Sequence, residues 1–597
     1  MREQQFGARL LGPQQCRFRF WAPSVASVGL ELYGQAAARP MQALTGGWFT
    51  LDVACGAGTR YRYRVSEELS VPDPASHAQA GDVHDWSIVV DHDAYAWQHP
   101  TWQGRPWHET VLYELHVGAC GGFAATMARL PALAELGITA IELMPVADFP
   151  GAHNWGYDGV LPYAPDAAYG TPDALKALID AAHGLGMMVF LDVVYNHFGP
   201  DGNYLGVYAA PFFRDDLHTP WGQAIDFRVA EVREFFTANA LYWLEIYRFD
   251  GLRFDAVHAI SEGNWLREVA AAVRAAAPAG RHQHLVLEND DNDAALLAGP
   301  SAGLYDAQWN DDGHHALHVL LTGESEGYYG AYTAEPAQQL ARCLAEGFIF
   351  QGQAPMRPGG ALRGTSSGSL PPSAFVLFLQ NHDQIGNRAF GERLTVLADP
   401  QALRAAQALL LLAPAIPLLF MGEETGAREP FLYFTDHAVP ALADAVRDGR
   451  RQEFAHFAAF ADQARREAIP DPNAHATFAQ SRPQPADTDT QTWITTLLGL
   501  RRQHITPVLV GARSLGAQAI GAAAVCARWQ LGNGQRLTIA LNLANVALPL
   551  AAATLALDHH DLDAEILIDT NDTGQALASG IFPAHSVLAY LQPPVHS

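Results

Sequence analysis

Gly251-Leu-Arg-Phe-Asp-Ala-Val-His258 is the stretch on which the fold turns. It reads as a strand ending in a polar tip. Leu252, Phe254 and Val257 are apolar, and Arg253, Asp255 and His258 place a cation, a carboxylate and an imidazole within six residues. On a strand, residues i and i+2 share a face, so Arg253 and Asp255 point the same way. A guanidinium beside a carboxylate lowers its pKa and holds it ionised, as a carboxylate nucleophile requires. Taken alone, the same residues also describe an Arg–Asp pair closing a strand end. The surrounding chain decides between the two.

Working outward, strand-like runs alternate with helical ones from about residue 108. Val111–Val117, Thr139–Pro145, Met187–Val194, Gly251–Asp255, Leu285–Glu288, Ala374–Gln380 and Ile416–Phe420 are strand candidates. Helices are expected near 124–136, 172–185 and 229–247. Such alternation implies an α/β protein with a parallel sheet and helices outside it. The strands end in polar residues: His116, Glu142, Asp192, Asp255, Glu288 and Asp383. Polar groups at the carboxyl ends of successive strands fit a (β/α)8 TIM barrel, whose active site lies on that face. The alternative is a doubly wound sheet, in which ligands gather at one switch point and not around every strand end.

The flanks differ. Before residue 100, Cys16, Phe18 and Phe20 alternate on one face, as do Tyr61, Tyr63 and Val65. An N-terminal β-sandwich over 1–100 is therefore expected, joined by a linker at Trp97–Pro106 to a barrel over 101–508. Pro355–Pro372 and Pro470–Asp487 read as loops, the first of them mobile, and a helix is expected at 488–504. Ala524–Trp529, Arg536–Asn542, Glu565–Asp569 and Ser586–Gln592 then predict a C-terminal β-sandwich over 509–597.

Bulk properties exclude some functions. The 597 residues are 49% hydrophobic, enough for large cores, and carry a net charge of −26. That charge argues against nucleic acid or an anionic membrane as partner. The cysteines, Cys16, Cys55, Cys120, Cys343 and Cys526, are scattered and lack any C-x-x-C, so neither a disulfide framework nor a zinc site is indicated. A reducing, cytoplasmic compartment is expected. The first residues lead into no apolar signal segment, and Ala408–Phe420 is interrupted by Pro414 and Pro417, short of the ~18–20 residues of a membrane span. The 13 Trp and 19 Tyr suit sugar stacking, and large cores equally.

Four segments carry the chemistry: Asp192-Val-Val-Tyr-Asn-His197, Gly251–His258, Leu287-Glu288-Asn289 and Gln380-Asn-His-Asp383. In this order, each at a strand end, they resemble the four short motifs of the α-amylase superfamily of glycoside hydrolases and transglycosylases. The resemblance implies that Asp255 is the nucleophile, Glu288 the general acid/base, and Asp383 a third carboxylate that holds sugar hydroxyls. It implies that Arg253 sits beside the nucleophile, that His197 and His382 bond the sugar at the cleavage subsite, that Asp192 braces the network, and that Tyr157 stacks under the sugar. His258, at the tip of the second motif, joins the substrate-binding candidates. A satisfied core histidine is the alternative for His197 and His382, and barrel packing for Tyr157. Retaining glycosidases need one ionised and one protonated carboxyl ~5–5.5 Å apart. Arg253 beside Asp255, and apolar Leu287 beside Glu288, fit that division.

Ala307-Gln-Trp-Asn-Asp-Asp-Gly-His-His315, Leu379–Arg388, and Phe434-Thr-Asp-His437 with Gly449–Phe454 resemble the malto-oligosyltrehalose trehalohydrolase family in particular, as do Thr219-Pro-Trp-Gly222 and Met421-Gly-Glu-Glu424. Members hydrolyse the α-1,4 bond next to the terminal trehalose of a malto-oligosyltrehalose, which is the substrate expected here. Trp309, Asn310, Asp311 and Glu423, assigned to loops on the carboxyl face, are candidates for reading the leaving disaccharide; packing on the barrel, or capping of a strand by Glu423, is the alternative. No cofactor is expected. The short interval from His197 to Gly251 argues against the calcium that some amylases bind there through the match of Asn196. The close functional alternative is a glucan branching enzyme or a general α-glucan hydrolase; a glucan-binding protein without activity would lack one of the three carboxylates. Trp21 and Trp48 of the N-terminal sandwich are either glucan contacts or core.

Overall fold

Short, wholly buried apolar runs become the inner wall of the molecule. The structure, a computed structural model, describes residues 6–353, 362–484, 487–549 and 564–594. Eight parallel strands close into a barrel: β1 (Leu112–Leu115), β2 (Ala140–Leu143), β3 (Met188–Val193), β4 (Gly251–Phe254), β5 (His284–Leu287), β6 (Ala307–Trp309), β7 (Phe375–Phe378) and β8 (Ile416–Phe420). Helices such as Phe123–Leu136, Pro172–Gly184, Ala230–Glu245 and Pro400–Leu412 lie between them. None of the described helices is long and apolar enough to cross a membrane.

β6 is a departure from expectation. Trp309 is expected in a loop, yet Ala307–Trp309 pairs in parallel with β5 and β7 and closes the barrel. Register sets what faces the barrel axis. Asp192 pairs with Arg253 and Phe190 with Gly251. A Cβ on Gly251 would lie 2.1 Å from the Phe190 ring, so glycine is required for the ring to fill this level of the barrel.

The N-terminal sandwich forms as its alternation predicts. The strand Gln15–Trp21 belongs to one sheet and Arg60–Arg64 to the other, and their buried rings meet: Phe18 lies 4.8 Å from Tyr61 and Phe20 4.1 Å from Tyr63. Trp21 and Trp48 are both buried. Trp21 packs on Phe212 of the barrel and Trp48 on Phe6, so both are core residues and not sugar platforms. The Trp97–Pro106 segment is packed, not free: the Trp102 indole donates to Asp250 at 2.8 Å.

C-terminally, the expected loop Pro470–Asp487 contains a helix, His475–Gln480, while residues 485–486 lie outside the described residues, as does the 355–361 part of the expected loop Pro355–Pro372. The helix expected at 488–504 ends at Leu500 and continues as a π turn, Arg501–Ile505. Buried Arg501 donates there to the carbonyls of Leu411, Ala413 and Ala415, satisfying the backbone that enters β8. A five-stranded antiparallel sheet follows, with Arg513–Gly521 at one edge, a strand that the sequence pattern did not reveal. One face packs on the helices Pro336–Glu346 and Pro400–Leu412. The other is covered by a small sheet and the helix Thr573–Ala578, through Cys526, Leu577, Phe582 and Leu588.

Candidate active site

Arg253 is the hub. It points inward from β4, buried, and both of its terminal nitrogens donate to carboxylates. Nη1 donates to Asp192 at 2.6 Å and to Asp255 at 2.9 Å, and Nη2 donates to Glu288 at 2.8 Å. Asp255 follows β4 and Glu288 follows β5, so parallel pairing of these strands brings the two carboxyls to one guanidinium. Ala256, between nucleophile candidate and turn, has a φ of +39°, a region costly for a residue with a Cβ. That conformation aims its N–H at Glu288 Oε2, 2.8 Å away.

The electrostatics correct one expectation. Arg253 alone was expected to hold Asp255 below the ordinary carboxylate range. Instead burial raises the Asp255 carboxyl, and Arg253 only partly offsets it. Burial also raises Glu288; Arg253 opposes the rise and the charge of Asp255 adds to it. Two such neighbours titrate as a pair and favour one shared proton. Both oxygens of Asp255 accept hydrogen bonds, Oδ1 from Arg253 and Oδ2 from Asn196 at 3.0 Å, which favours its charged form. Glu288 receives two donors on Oε2, from Arg253 and Ala256. Its side chain keeps 21% exposure, whereas that of Arg253 keeps 1%.

Around this pair stand the remaining motif residues. Tyr157 donates to Asp192 at 2.6 Å and lies flat on His382, with ring centroids 5.0 Å apart. His382 and Asp383 open the short helix His382–Gly386, capped by Asn381. Asp383 accepts from Asn387 at 2.6 Å, and burial raises its carboxyl. His197 is buried and neutral, its pKa lowered by burial to about 4. Its Nδ1 is bonded to Asn196 Oδ1. Asn196 therefore spends both ends of its amide inside the site, on His197 and Asp255. Among the described residues, no group of three or more His, Cys, Asp or Glu is arranged to hold a metal ion.

Other neighbours of these residues were not among the site candidates read from the sequence. Glu114 of β1, hidden in an apolar run, accepts the His382 backbone N–H at 3.0 Å and is bonded to its Nδ1. Burial works to lower His382, and the Glu114 carboxylate overrides it and raises the imidazole above its ordinary value. His116, named for the same strand, instead caps the turn Val117–Cys120 and is bonded to the carbonyl of Asn154. Trp221, from the hairpin after β3, stacks on His197 with centroids 5.1 Å apart and is 46% exposed.

The disaccharide candidates separate. Trp309 is no loop residue: it ends β6, 1% exposed, beneath the Arg253 guanidinium. Asn310 caps the helix Asp311–Thr322, accepting from Gly313 and donating to the Gly347 carbonyl, and is buried. Glu423 is buried and accepts from the Phe420 backbone N–H at 2.7 Å, so it caps β8; burial raises it to about 8. All three side chains are buried within the protein. Asp311 does lie at the site: burial and the charges of Glu288 and Asp383 raise its carboxyl, and Gln384 donates to it at 3.3 Å. His258 is exposed and lines a cleft of about 680 Å³ beside Asn289.

A family model described as alpha amylase, catalytic domain matches residues 93–208, and a domain of unknown function (DUF3459) matches residues 512–588. Over 483 residues the chain is 41% identical to a malto-oligosyltrehalose trehalohydrolase of Deinococcus radiodurans, covering 79% of this chain and 78% of that one. The chain belongs to the malto-oligosyltrehalose trehalohydrolase family. The member from Arthrobacter ramosus is 38% identical, over 89% of this chain and 94% of its own. A crystal structure from Salmonella typhimurium, named for alpha amylase, superposes with a TM-score of 0.90 at 42% identity, covering 99% of this chain and 100% of that one. That structure thus matches sandwich, barrel and C-terminal sheet together.

Proposed function

We propose that this chain hydrolyses the α-1,4 bond next to the terminal trehalose of malto-oligosyltrehalose, releasing trehalose with retention at the cleaved carbon. The substrate in this reading follows the family's members, and the observation that carries its retaining chemistry is the one guanidinium shared by Asp255 and Glu288, at 2.9 and 2.8 Å. Retaining enzymes hold their carboxyls ~5–5.5 Å apart and inverting ones ~6.5–9.5 Å; two carboxyls on neighbouring nitrogens of one guanidinium belong to the shorter range.

In this reading Glu288 gives its proton to the glycosidic oxygen while Asp255 attacks the anomeric carbon, forming a glycosyl-enzyme ester as trehalose leaves. Glu288 then takes a proton from water, which attacks the same carbon and releases Asp255. His382, His197, Asp383 and Tyr157 hold the hydroxyls and face of the sugar being cleaved. Asp311 is the remaining candidate for recognising the leaving trehalose.

Chromatography of products from malto-oligosyltrehalose, beside the equivalent malto-oligosaccharide, tests the reading. Trehalose is expected from the first and slow or no cleavage of the second. Cleavage of both without trehalose release would return the chain to a general α-glucan hydrolase. A changed iodine spectrum on amylose without new reducing ends would make it a branching enzyme.

A further inference from the structure

Glu142 is a buried carboxyl that the proposed chemistry does not use. It lies on β2, in register with Glu114 of β1 and Phe190 of β3. Phe190 and Asp192 share a face of β3, so Glu142 points to the barrel axis one level below the Asp192–Arg253 pair. It is 1% exposed. Among the described residues, it is the carboxyl whose two oxygens are both buried without a hydrogen-bond partner.

Charged groups face it from three strands: Glu114 from β1, Asp192 from β3 and Arg253 from β4. The terminal nitrogens of Arg253 donate to other carboxylates, Nη1 to Asp192 and Asp255 and Nη2 to Glu288, and neither donates to Glu142. An ionised carboxylate in that position would be unpaired and beside two other carboxylates. Such a group takes up a proton instead. A neutral acid has one donor and one acceptor. Its neighbours leave one of each unpartnered: Asp192 Oδ1, an acceptor, and Arg253 Nε, a donor.

We propose that Glu142 is a positioning residue of the active centre: a neutral carboxylic acid that supports Asp192 and Arg253 from below and so fixes the guanidinium on Asp255 and Glu288. It touches no substrate. This rests on the roles proposed above for Asp255 and Glu288, and a substrate-free measurement separates its failure from theirs.

That measurement is thermal unfolding of the wild type and Glu142→Gln against pH. The unfolded glutamate ionises near ~4.3, while the folded one stays neutral. The wild type therefore loses stability relative to the glutamine variant as pH rises from that value. The expected Tm gain of Glu142→Gln grows from about pH 4 to pH 8. A gain that is flat or reversed over this window overturns the proposal, because Glu142 would then be ionised in the folded protein. Kinetics give the second readout. Glu142→Gln, neutral and hydrogen-bonding, should keep kcat/KM within about threefold, and Glu142→Leu, neutral without hydrogen bonds, should lose about tenfold or more, in kcat and not in KM. Equal losses in the two variants would deny the positioning role.

Discussion

The guanidinium of Arg253 sits over the indole of Trp309, its central carbon 4.1 Å from the ring centroid. Trp309 ends β6 at the level where Arg253 leaves β4, so the barrel itself supplies the support. The planar cation is thus held from one side by an aromatic face and at its edge by three carboxylates. Such contacts add ~0.5–2 kcal/mol, and here they orient the group that joins Asp255 to Glu288.

Replacing Trp309 by leucine should therefore lower kcat about tenfold or more on malto-oligosyltrehalose and on plain malto-oligosaccharide alike. Steady-state kinetics on both substrates check this. A loss confined to the trehalose-bearing substrate would place the indole in the leaving-group site after all.

Asp255→Asn and Glu288→Gln should each fold normally and lose several orders of magnitude in rate, because an amide neither attacks nor donates a proton. Retention further predicts that the new reducing end is first the α anomer. Proton NMR of early product gives the answer directly, and a β anomer would remove the nucleophile role from Asp255.

Asp311 and Asn310 are adjacent and should behave oppositely. Asn310→Ala removes a helix cap worth ~0.5–2 kcal/mol, so a lower Tm is expected with similar loss on both substrates. Asp311→Ala should lower kcat/KM for malto-oligosyltrehalose much more than for a malto-oligosaccharide, since unpaired polar groups discriminate strongly. Equal losses would mean that Asp311 serves the common chemistry or the fold.

Sequence legibility followed local pattern. Seven barrel strands were visible because each is an apolar run with a polar end. β6 was not, because three residues with glutamine at the centre give no apolar run: Gln308 donates to the Asn289 carbonyl and to Asn292. The catalytic motifs were legible because their residues are close in sequence and rare in combination. Glu114 was missed for the converse reason, one carboxylate inside Val111–Val117 that acts on a histidine of the β7 end, 268 residues away. A carboxylate at matching positions of β1 and β2, Glu114 beside Glu142, was the available signal. The upward shift of Asp255 was beyond the sequence, because it depends on how deeply folding buries the group.

The Glu114–His382 pair gives a pH prediction of definite sign. The ordinary pKa of histidine is ~6.5, and that of His382 is raised in the folded protein because the Glu114 carboxylate outweighs burial. A group raised on folding adds stability that is fully present below its unfolded value and lost as pH climbs through the folded one. Removing the carboxylate with Glu114→Gln should therefore cost the most Tm below pH 6.5 and progressively less as the wild-type imidazole loses its proton. Parallel melts of the wild type, Glu114→Gln, His382→Gln and the double variant separate this coupling from the loss of each side chain. The trend is opposite to that of Glu142→Gln, whose benefit grows with pH, although the two glutamates pair in register on neighbouring strands. A Glu114→Gln penalty that stayed constant with pH would show His382 to be neutral and held by hydrogen bonding alone.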